Sequence, residues 1–125
     1  MKPPISQIII YTKKMDAMVD FYTTHFGFRA HQIDGDRLVE LRPVDSGVTL
    51  LLHPAASSQK EGQVLIKLVF DVRDVGKFCR EAKKKGLVFG VEHKADGYTF
   101  ANCKDPSKNS ISVSSRVCRR PQTVQ

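Results

Sequence analysis

Apolar positions in the first half of the chain follow a strand period and then a helix period. Residues 8–11 (IIIY) form a β-branched and aromatic run of the kind that builds a buried strand. Three later segments have strand composition and are separated by turn residues: Phe28–Ile33, Leu38–Arg42 and Val48–His53. Between the first strand and these segments, apolar residues recur at helical spacing up to Gly27: Met15, Met18, Val19, Tyr22 and Phe26. The pattern predicts a βαβββ unit over residues 5–54.

The same order of elements begins again after a small, polar linker at residues 55–63. Val64–Val72 is predicted as a strand, and Asp74 is a good N-cap for a helix that ends near Gly86. Three short strands are predicted to follow: Leu87–Glu92, Tyr98–Cys103 and Ser110–Ser115. Shifting the chain by 60 residues places Ile8 on Leu68 and Ile10 on Phe70. The second βαβββ unit is therefore predicted over residues 64–115, followed by a basic tail at 116–125.

The repeat predicts the fold class. One unit of about 50 residues buries too little surface to be stable alone, so two units are expected to share a core in one domain over residues 1–125. The predicted class is α+β, with two tandem βαβββ units that form one curled mixed sheet around a cup-shaped cleft. No apolar run approaches the roughly 20 residues of a membrane helix, and we expect no membrane partner.

The two-residue period of a strand assigns side chains to faces. Ile8, Ile10, Leu68 and Phe70 are apolar in both units and are expected to pack under the helices. The alternate positions of the same strands then face the cup. They mix polar and aliphatic side chains, which suits a small-ligand cleft: Gln7, Ile9 and Tyr11 in one unit, and Lys67, Val69 and Asp71 in the other.

The net charge is +7 and is carried entirely by the second half of the chain. Residues 64–125 hold 13 basic and 6 acidic side chains, whereas residues 1–63 hold 7 of each. This excess indicates either a solvated helix face with a frayed basic tail or a surface for an anionic partner. A nucleic acid is the less favoured partner, because neither aromatic interleaving nor a nucleic-acid motif accompanies the basic residues.

The three cysteines, Cys79, Cys103 and Cys118, are odd in number and have no metal-like spacing. They predict a chain without a disulfide framework and a cytoplasmic location. Cys79 lies on the apolar stripe of the second predicted helix, where a buried, unreactive thiol is expected.

Two local motifs and the repeat resemble the vicinal oxygen chelate superfamily. The motifs are the helix segment Phe21–Phe28 (FYTTHFGF) and the turn Asp105–Asn109 (DPSKN). This superfamily includes glyoxalase I, extradiol dioxygenases and bleomycin- or fosfomycin-resistance proteins, and the resemblance covers residues 5–115. It implies the cup-shaped fold and a homodimer. The family often has glycine where this chain has Lys108, which leaves open a rebuilt loop, a strained loop, or a loop in which Asn109 takes the left-handed conformation instead.

The resemblance also implies four positions at which the family's enzymes hold a divalent metal. They fall on Gln7, Leu50, Lys67 and Ser112. Leucine has no donor atom, an ammonium group repels a cation, and serine is a poor ligand, so only Gln7 is acceptable. The four histidines share no short metal-binding spacing: His25, His31, His53 and His93. We expect neither a metal nor another cofactor.

Three interpretations of Lys67 remain open. It forms a salt bridge with Asp71 or Glu40, it anchors a carboxylate, phosphate or enolate, or it is a catalytic lysine with a lowered pKa. No second catalytic group supports the last interpretation, and no catalytic residue is assigned. If Lys67 anchors an anion, the predicted ligand site adds hydrogen-bonding and apolar residues from both units: Gln7, Tyr11 and Ser112, with Ile9, Leu50, Leu52 and Val69.

The favoured function is a metal-independent, small-molecule-binding protein of the glyoxalase/bleomycin-resistance type. Its ligand is expected to be anionic or an aromatic acid, because the chain is basic. The same charge disfavours bleomycin, a cationic drug that needs an acidic surface. The alternative is a metal-dependent lyase or dioxygenase whose ligands are completed across a dimer. The sequence leaves open whether any reaction is catalysed.

Overall fold

The computed structural model describes residues 2–119, which contain two helices and eight strands. The strands and helices follow each other in the order βαβββ, twice. The chain divides into two compact units: unit 1 comprises the residues up to Gln63 together with Pro106–Lys108, and unit 2 comprises Val64–Asp105 and the residues from Asn109 onward. The predicted α+β class with tandem βαβββ units is confirmed, and its strands form two four-stranded mixed sheets.

Unit 1 is a four-stranded sheet with one helix packed on it. Its elements are β1 (Gln7–Thr12), α1 (Met15–Phe26), β2 (Arg29–His31), β3 (Val39–Arg42) and β4 (Thr49–Pro54). The strand order is β1-β4-β3-β2, with β1 parallel to β4 and the other pairs antiparallel. The helix contacts β2, β3 and β4. The core between the helix and the strands includes four residues that are 0% exposed: Met18, Tyr22, Leu41 and Leu52.

The end of α1 follows from the glycine in the Phe21–Phe28 motif. Gly27 has a φ of 70°, the left-handed conformation that ends a helix, and its N–H donates to the carbonyl of Tyr22. The chain can then turn so that the ring of Phe28 meets the ring of Tyr22 edge-on, with 5.9 Å between the ring centroids. The motif thus fixes the helix onto the sheet.

Unit 2 repeats this architecture. Its elements are β5 (Lys67–Asp71), α2 (Val75–Lys84), β6 (His93–Ala95), β7 (Tyr98–Lys104) and β8 (Ser110–Ser114), followed by a 3-10 turn at Arg116–Cys118. The strand order is β5-β8-β7-β6, with β5 parallel to β8. Asp74 caps α2 as predicted, because its side chain accepts a hydrogen bond from the Lys77 N–H at 3.1 Å.

The strand predicted at Leu87–Glu92 is wrong, since the strand in this region is β6 at His93–Ala95. Leu87 instead completes the end of α2. Its N–H donates to the carbonyl of Ala82 while Gly86, at a φ of 93°, donates to Lys83. In this type of helix end the residue after the glycine packs back on the helix, and Leu87 is 8% exposed. The apolar character of Leu87 therefore reflects helix capping.

The turn at Asp105–Asn109 follows the strained alternative, because Lys108 and not Asn109 takes the left-handed conformation, at a φ of 67°. Asn109 is occupied by Asp105: its backbone N–H and its side-chain amide both donate to that carboxylate at 2.9 Å. Lys108 therefore carries the backbone strain that a glycine would relieve. In unit 1, the neighbouring Ser107 hydroxyl lies 2.6 Å from the Thr12 hydroxyl.

Within residues 2–119, neither helix is long and apolar enough to cross a membrane.

Candidate functional site

Each sheet has one face covered by its helix and one face that the helix leaves open. Residues paired across neighbouring strands point to the same face. In unit 1, Ile8 and Ile10 lie on the covered face as predicted, and Gln7, Ile9 and Tyr11 lie on the open face. Ile9 and Tyr11 are 48% and 49% exposed. The alternation assigned β1 correctly.

Leu50 and Leu52 do not lie on that open face. In the parallel register of β1 and β4 they pair with Ile8 and Ile10, and they are 3% and 0% exposed. They belong to the core under α1, and Leu51 takes the open position beside Ile9. The three consecutive leucines carry no alternation of polar and apolar residues, so the sequence could not show which of them faced the helix.

The open face of unit 1 carries an aromatic pair near the ends of β1 and β4. The rings of Tyr11 and His53 lie 5.1 Å apart. His53 Nδ1 is 2.7 Å from the carbonyl oxygen of Pro54, which can only accept, so Nδ1 carries the proton. In the neutral tautomer with a proton on Nδ1, Nε2 carries the lone pair of the ring. Nearby on this sheet, Glu40 forms a 3.0 Å ion pair with Arg42.

Lys67 and Val69 lie on the open face of unit 2, as predicted, and both are exposed. The Lys67 ammonium donates a hydrogen bond to Asn102 Oδ1 at 3.0 Å and lies 5.9 Å from the centre of the Phe100 ring. It forms no salt bridge with Asp71, one of the two partners that the sequence left open, and the other, Glu40, is paired with Arg42. Lys67 therefore presents an unneutralised positive charge to solvent.

Ser112 lies in the floor of this face. It pairs with Val69 on one side and Asn102 on the other, and it is 2% exposed. Its hydroxyl makes a long 3.5 Å hydrogen bond to the Val113 carbonyl. Because its side chain is small and buried, Ser112 lies below the larger side chains of Val69 and Asn102 on this face.

Sequence reasoning missed a cluster of rings on the open face of unit 2, which we call the aromatic platform: His93, Tyr98 and Phe100. His93 stacks on Phe100 with 5.0 Å between centroids and an angle of 27°, and Tyr98 lies 6.2 Å from Phe100. The period of two along the predicted strand Tyr98–Cys103 was the available signal, because it puts Tyr98 and Phe100 on one face with Asn102.

The family's metal positions do not fit a divalent ion in this chain. By register, the position on β4 falls on Leu51, which like Leu50 has no donor atom. Gln7 offers one amide oxygen, Lys67 brings a positive charge, and Ser112 is a buried hydroxyl. No group of three His, Cys, Asp or Glu side chains in residues 2–119 could hold a metal ion.

Two thiols of unit 2, those of Cys79 and Cys103, are not activated. Burial raises the pKa of Cys103 to about 12, with a smaller contribution from the Asp105 carboxylate. Burial also raises the pKa of Cys79. Both side chains therefore stay protonated near neutral pH, and a thiolate nucleophile is not available from either.

A cavity of about 700 Å³ lies beside α1 in unit 1, at residues such as Met15, Val19 and Val39. None of the residues predicted from sequence to bind a ligand lines it.

The comparisons with known proteins agree with this architecture. The family model of the Glyoxalase/Bleomycin resistance protein/Dioxygenase superfamily matches residues 5–113. No curated protein matches the chain. Among solved structures, UcmS2 is similar with a TM-score of 0.76 and 21% identity, over 92% of this chain and 99% of that one.

Two further similar structures are of different kinds, one a binding protein and the other an enzyme. TnmS3, an antibiotic binding protein from Streptomyces sp. CB03234, has a TM-score of 0.73 and 17% identity, over 90% of this chain and 94% of its own. A lactoylglutathione lyase from Agrobacterium tumefaciens has a TM-score of 0.68 and 24% identity, over 90% and 95%. At these identities the likeness shows the fold, and a binding protein and an enzyme share it.

Proposed function

Because the chain belongs to the glyoxalase/bleomycin resistance/dioxygenase superfamily, we propose that it binds a small anionic aromatic molecule without a metal ion. The open face of unit 2 holds this ligand, with Lys67 as the anchor for its acid group. One observation carries the proposal: the Lys67 ammonium is held by Asn102 beside the Phe100 ring and has no acidic partner among residues 2–119.

The local geometry suits an aromatic acid. Asn102 Oδ1 accepts a hydrogen bond from one of the three N–H groups of the Lys67 ammonium and so orients it. Two N–H donors remain for an oxyanion. Phe100 and His93 offer ring surface beside the charge, and Val69, 55% exposed, offers an aliphatic edge. A charged donor next to apolar surface favours a ligand that has an acid group on a planar ring.

The similar structures support both a binding protein and an enzyme, and the residues of this chain favour the former. TnmS3 is described as an antibiotic binding protein. A lyase of this superfamily would need a metal, and the side chains at the family's four metal positions do not suit one. On unit 1, we keep Gln7, Ile9 and Tyr11 as proposed ligand contacts of its own open face.

The test is the binding of 2-naphthoate to metal-stripped protein, followed by fluorescence anisotropy. The chain contains no tryptophan, so emission from the naphthalene ring is free of protein background. We expect saturable binding, which Lys67→Met weakens by about 10-fold or more because a charge-assisted hydrogen bond contributes about 1.5–3 kcal/mol. The control is Lys85→Met, at the exposed end of α2, which we expect to bind as the unmodified chain does.

Two results would overturn the proposal. One is the absence of saturable 2-naphthoate binding by the metal-stripped protein. The other is an equal affinity of the Lys67→Met and Lys85→Met variants, which would show that Lys67 does not contact the acid group. Circular dichroism of both variants confirms that each is folded before its affinity is compared.

The second candidate function is a metal-dependent lyase or dioxygenase with ligands completed across a dimer. One observation favours it: His53 on the open face of unit 1 donates through Nδ1, and the neutral form of such a ring offers the Nε2 lone pair to a metal. A series of thermal unfolding curves with Ni, Zn, Mn and Fe(II) tests it, because a divalent ion bound to the folded state raises the unfolding midpoint. A stoichiometric rise with one metal would support the enzyme.

A homodimer and a cytoplasmic location are also part of the proposal. β1 and β5 are edge strands of their sheets, and apolar side chains near them are exposed, with Ile9 at 48% and Ile66 at 66%. Edge strands present unpaired backbone N–H and C=O groups, and a second copy of the chain would pair with or cover them. Sedimentation velocity distinguishes a dimer from a monomer. The three thiols are free, as in a reducing compartment, and cell fractionation tests that location.

A further inference from the structure

Two arginines that follow β8 lie against the aromatic platform. The guanidinium carbons of Arg116 and Arg119 are 5.3 Å and 5.4 Å from the centre of the Tyr98 ring. Arg116 Nη1 also donates to the Tyr98 hydroxyl at 3.1 Å, and Arg119 Nη1 donates to the carbonyl of Asp96 at 3.3 Å. The first part of the predicted basic tail is therefore held on the β6–β7 hairpin, while residues 120–125 lie outside the described chain.

The backbone fixes this position. Ser115 N–H donates to the Thr99 carbonyl at 3.0 Å, and Thr99 N–H donates to the Ser115 hydroxyl at 3.0 Å. The hairpin has Gly97 at its turn, where a Cβ atom would lie only 3.0 Å from Arg119 Cδ. The glycine thus gives the Arg119 side chain room to cross the hairpin and reach Tyr98.

The two guanidinium groups share one ring and have no carboxylate within salt-bridge distance among residues 2–119. Like charges held against one ring repel each other, and an anion bound to both guanidinium groups would offset that repulsion. Arginine presents several N–H donors in a fixed plane that matches phosphate oxygens, and each guanidinium donates one hydrogen bond through Nη1 within residues 2–119. A phosphate dianion fits this pair better than a carboxylate, which carries one charge.

The aromatic platform separates this arginine pair from Lys67. Lys67 is bonded to Asn102, and the arginines surround Tyr98, four residues earlier on β7. Four strand residues span about 13 Å, and the Phe100 ring lies between the two ends. The strand register places Lys104 with Lys67 at one end of the open face of unit 2 and the Asp71 carboxylate beside Phe100. The two guanidiniums lie at the other end, against Tyr98.

We infer that the ligand of this face is an aromatic acid that also carries a phosphate group, with its phosphate between Arg116 and Arg119 and its ring on Phe100. This inference rests on the proposed function, because it keeps Lys67 as the anchor of the first acid group. It adds a second anchor, of different chemistry, and so narrows the ligand class from aromatic acids to aromatic phosphate esters with a second acid group.

The experiment compares two probes that differ only in the phosphate: 2-naphthoate and 6-phosphonooxy-2-naphthoate. We expect the phosphate ester to bind at least 10-fold more tightly to the unmodified chain. The double variant Arg116→Gln/Arg119→Gln should remove this difference and leave the affinity for 2-naphthoate unchanged. The control is Arg80→Gln on α2, an exposed arginine of unit 2, which should keep the difference between the probes.

The outcomes separate this inference from the proposed function. If 2-naphthoate binds through Lys67 but the phosphate ester binds no more tightly, the inference is overturned and the proposed function stands. If the double variant weakens both probes equally, the arginines support the fold rather than the phosphate, which also overturns it. If the double variant fails to fold, Arg116→Lys/Arg119→Lys is the substitute, which keeps both charges and should lose most of the 10-fold preference. Inorganic phosphate should displace the bound phosphate ester only weakly. If it competes as strongly as the unlabelled ester itself, the arginines form a phosphate site that does not recognise the aromatic ring, which contradicts the inference.

Discussion

The buried hydroxyl pair in unit 1 gives the sharpest test of the described packing. Thr12 ends β1, and Ser107 lies in the loop Pro106–Lys108, which is distant in sequence but belongs to the same unit. The two side chains are 2% and 1% exposed, and their oxygen atoms are 2.6 Å apart. The Thr12 hydroxyl also accepts the N–H of Lys14 at 2.9 Å. Replacing Thr12 with valine removes both hydrogen bonds and conserves the shape of the side chain.

The expected loss follows from those two bonds. A neutral hydrogen bond contributes about 1 kcal/mol net, so Thr12→Val should lower the free energy of unfolding by about 2 kcal/mol. Valine fills the same space, so no cavity adds to this value. For a chain of this length the corresponding fall in the unfolding midpoint is about 8 °C.

Urea unfolding followed by circular dichroism measures the change. The matched control is Thr24→Val, an exposed helix residue whose hydroxyl makes only a 3.4 Å bond to Asp20, and its effect should stay below about 0.5 kcal/mol. In a double-mutant cycle with Ser107→Ala, the coupling between the two positions should be about 1 kcal/mol. A Thr12→Val effect no larger than that of the control would refute the packing of this loop on β1.

Three further predictions concern single residues. Lys108→Gly should raise the free energy of unfolding by about 1 kcal/mol, since glycine adopts a φ of 67° without strain, whereas Lys108→Ala should give no gain in the same urea experiment. Asp74→Ala should lower it by about 1 kcal/mol through loss of the helix cap, and Asp74→Asn should retain most of that stability; equal effects of the two would contradict the capping role. The pKa of Cys103 is raised from 9.0 in the unfolded chain to about 12 in the folded one, so the unfolded state loses its proton first and stability should fall as pH rises from about 9 to 12. The Cys103→Ala variant should show a smaller fall in the free energy of unfolding over this pH range. Parallel pH profiles for the variant and the unmodified chain would show that burial does not raise the pKa of the Cys103 thiol.

The repeat and the helical period were sufficient to place the first two elements. The match of Ile8 and Ile10 to apolar residues 60 positions later gave the buried face of β1, and the spacing of Met15, Met18 and Tyr22 gave that of α1. The cap at Asp74 followed from the preference of aspartate for that position. These features depend on local chemistry, which the sequence contains directly.

Features that depend on partners distant in the sequence were not predictable in the same way. Three successive leucines gave no sign that Leu51, and not Leu50 or Leu52, faces away from α1, because only the pairing of β1 with β4 decides it. For Arg116 and Arg119 the sequence left open a solvated tail or a surface for an anionic partner, and only the β6–β7 hairpin shows what they contact.

The central claim is that Lys67 binds an aromatic anion without the help of a metal. It is tested most directly by titrating 2-naphthoate into metal-stripped protein by calorimetry, alone and with one equivalent of Ni, Zn, Mn or Fe(II). We expect one dissociation constant that is the same with and without each metal. Lys67→Met should raise it at least 10-fold. Binding that appears only when a metal is added, together with a stoichiometric rise in the unfolding midpoint with that metal, would contradict it.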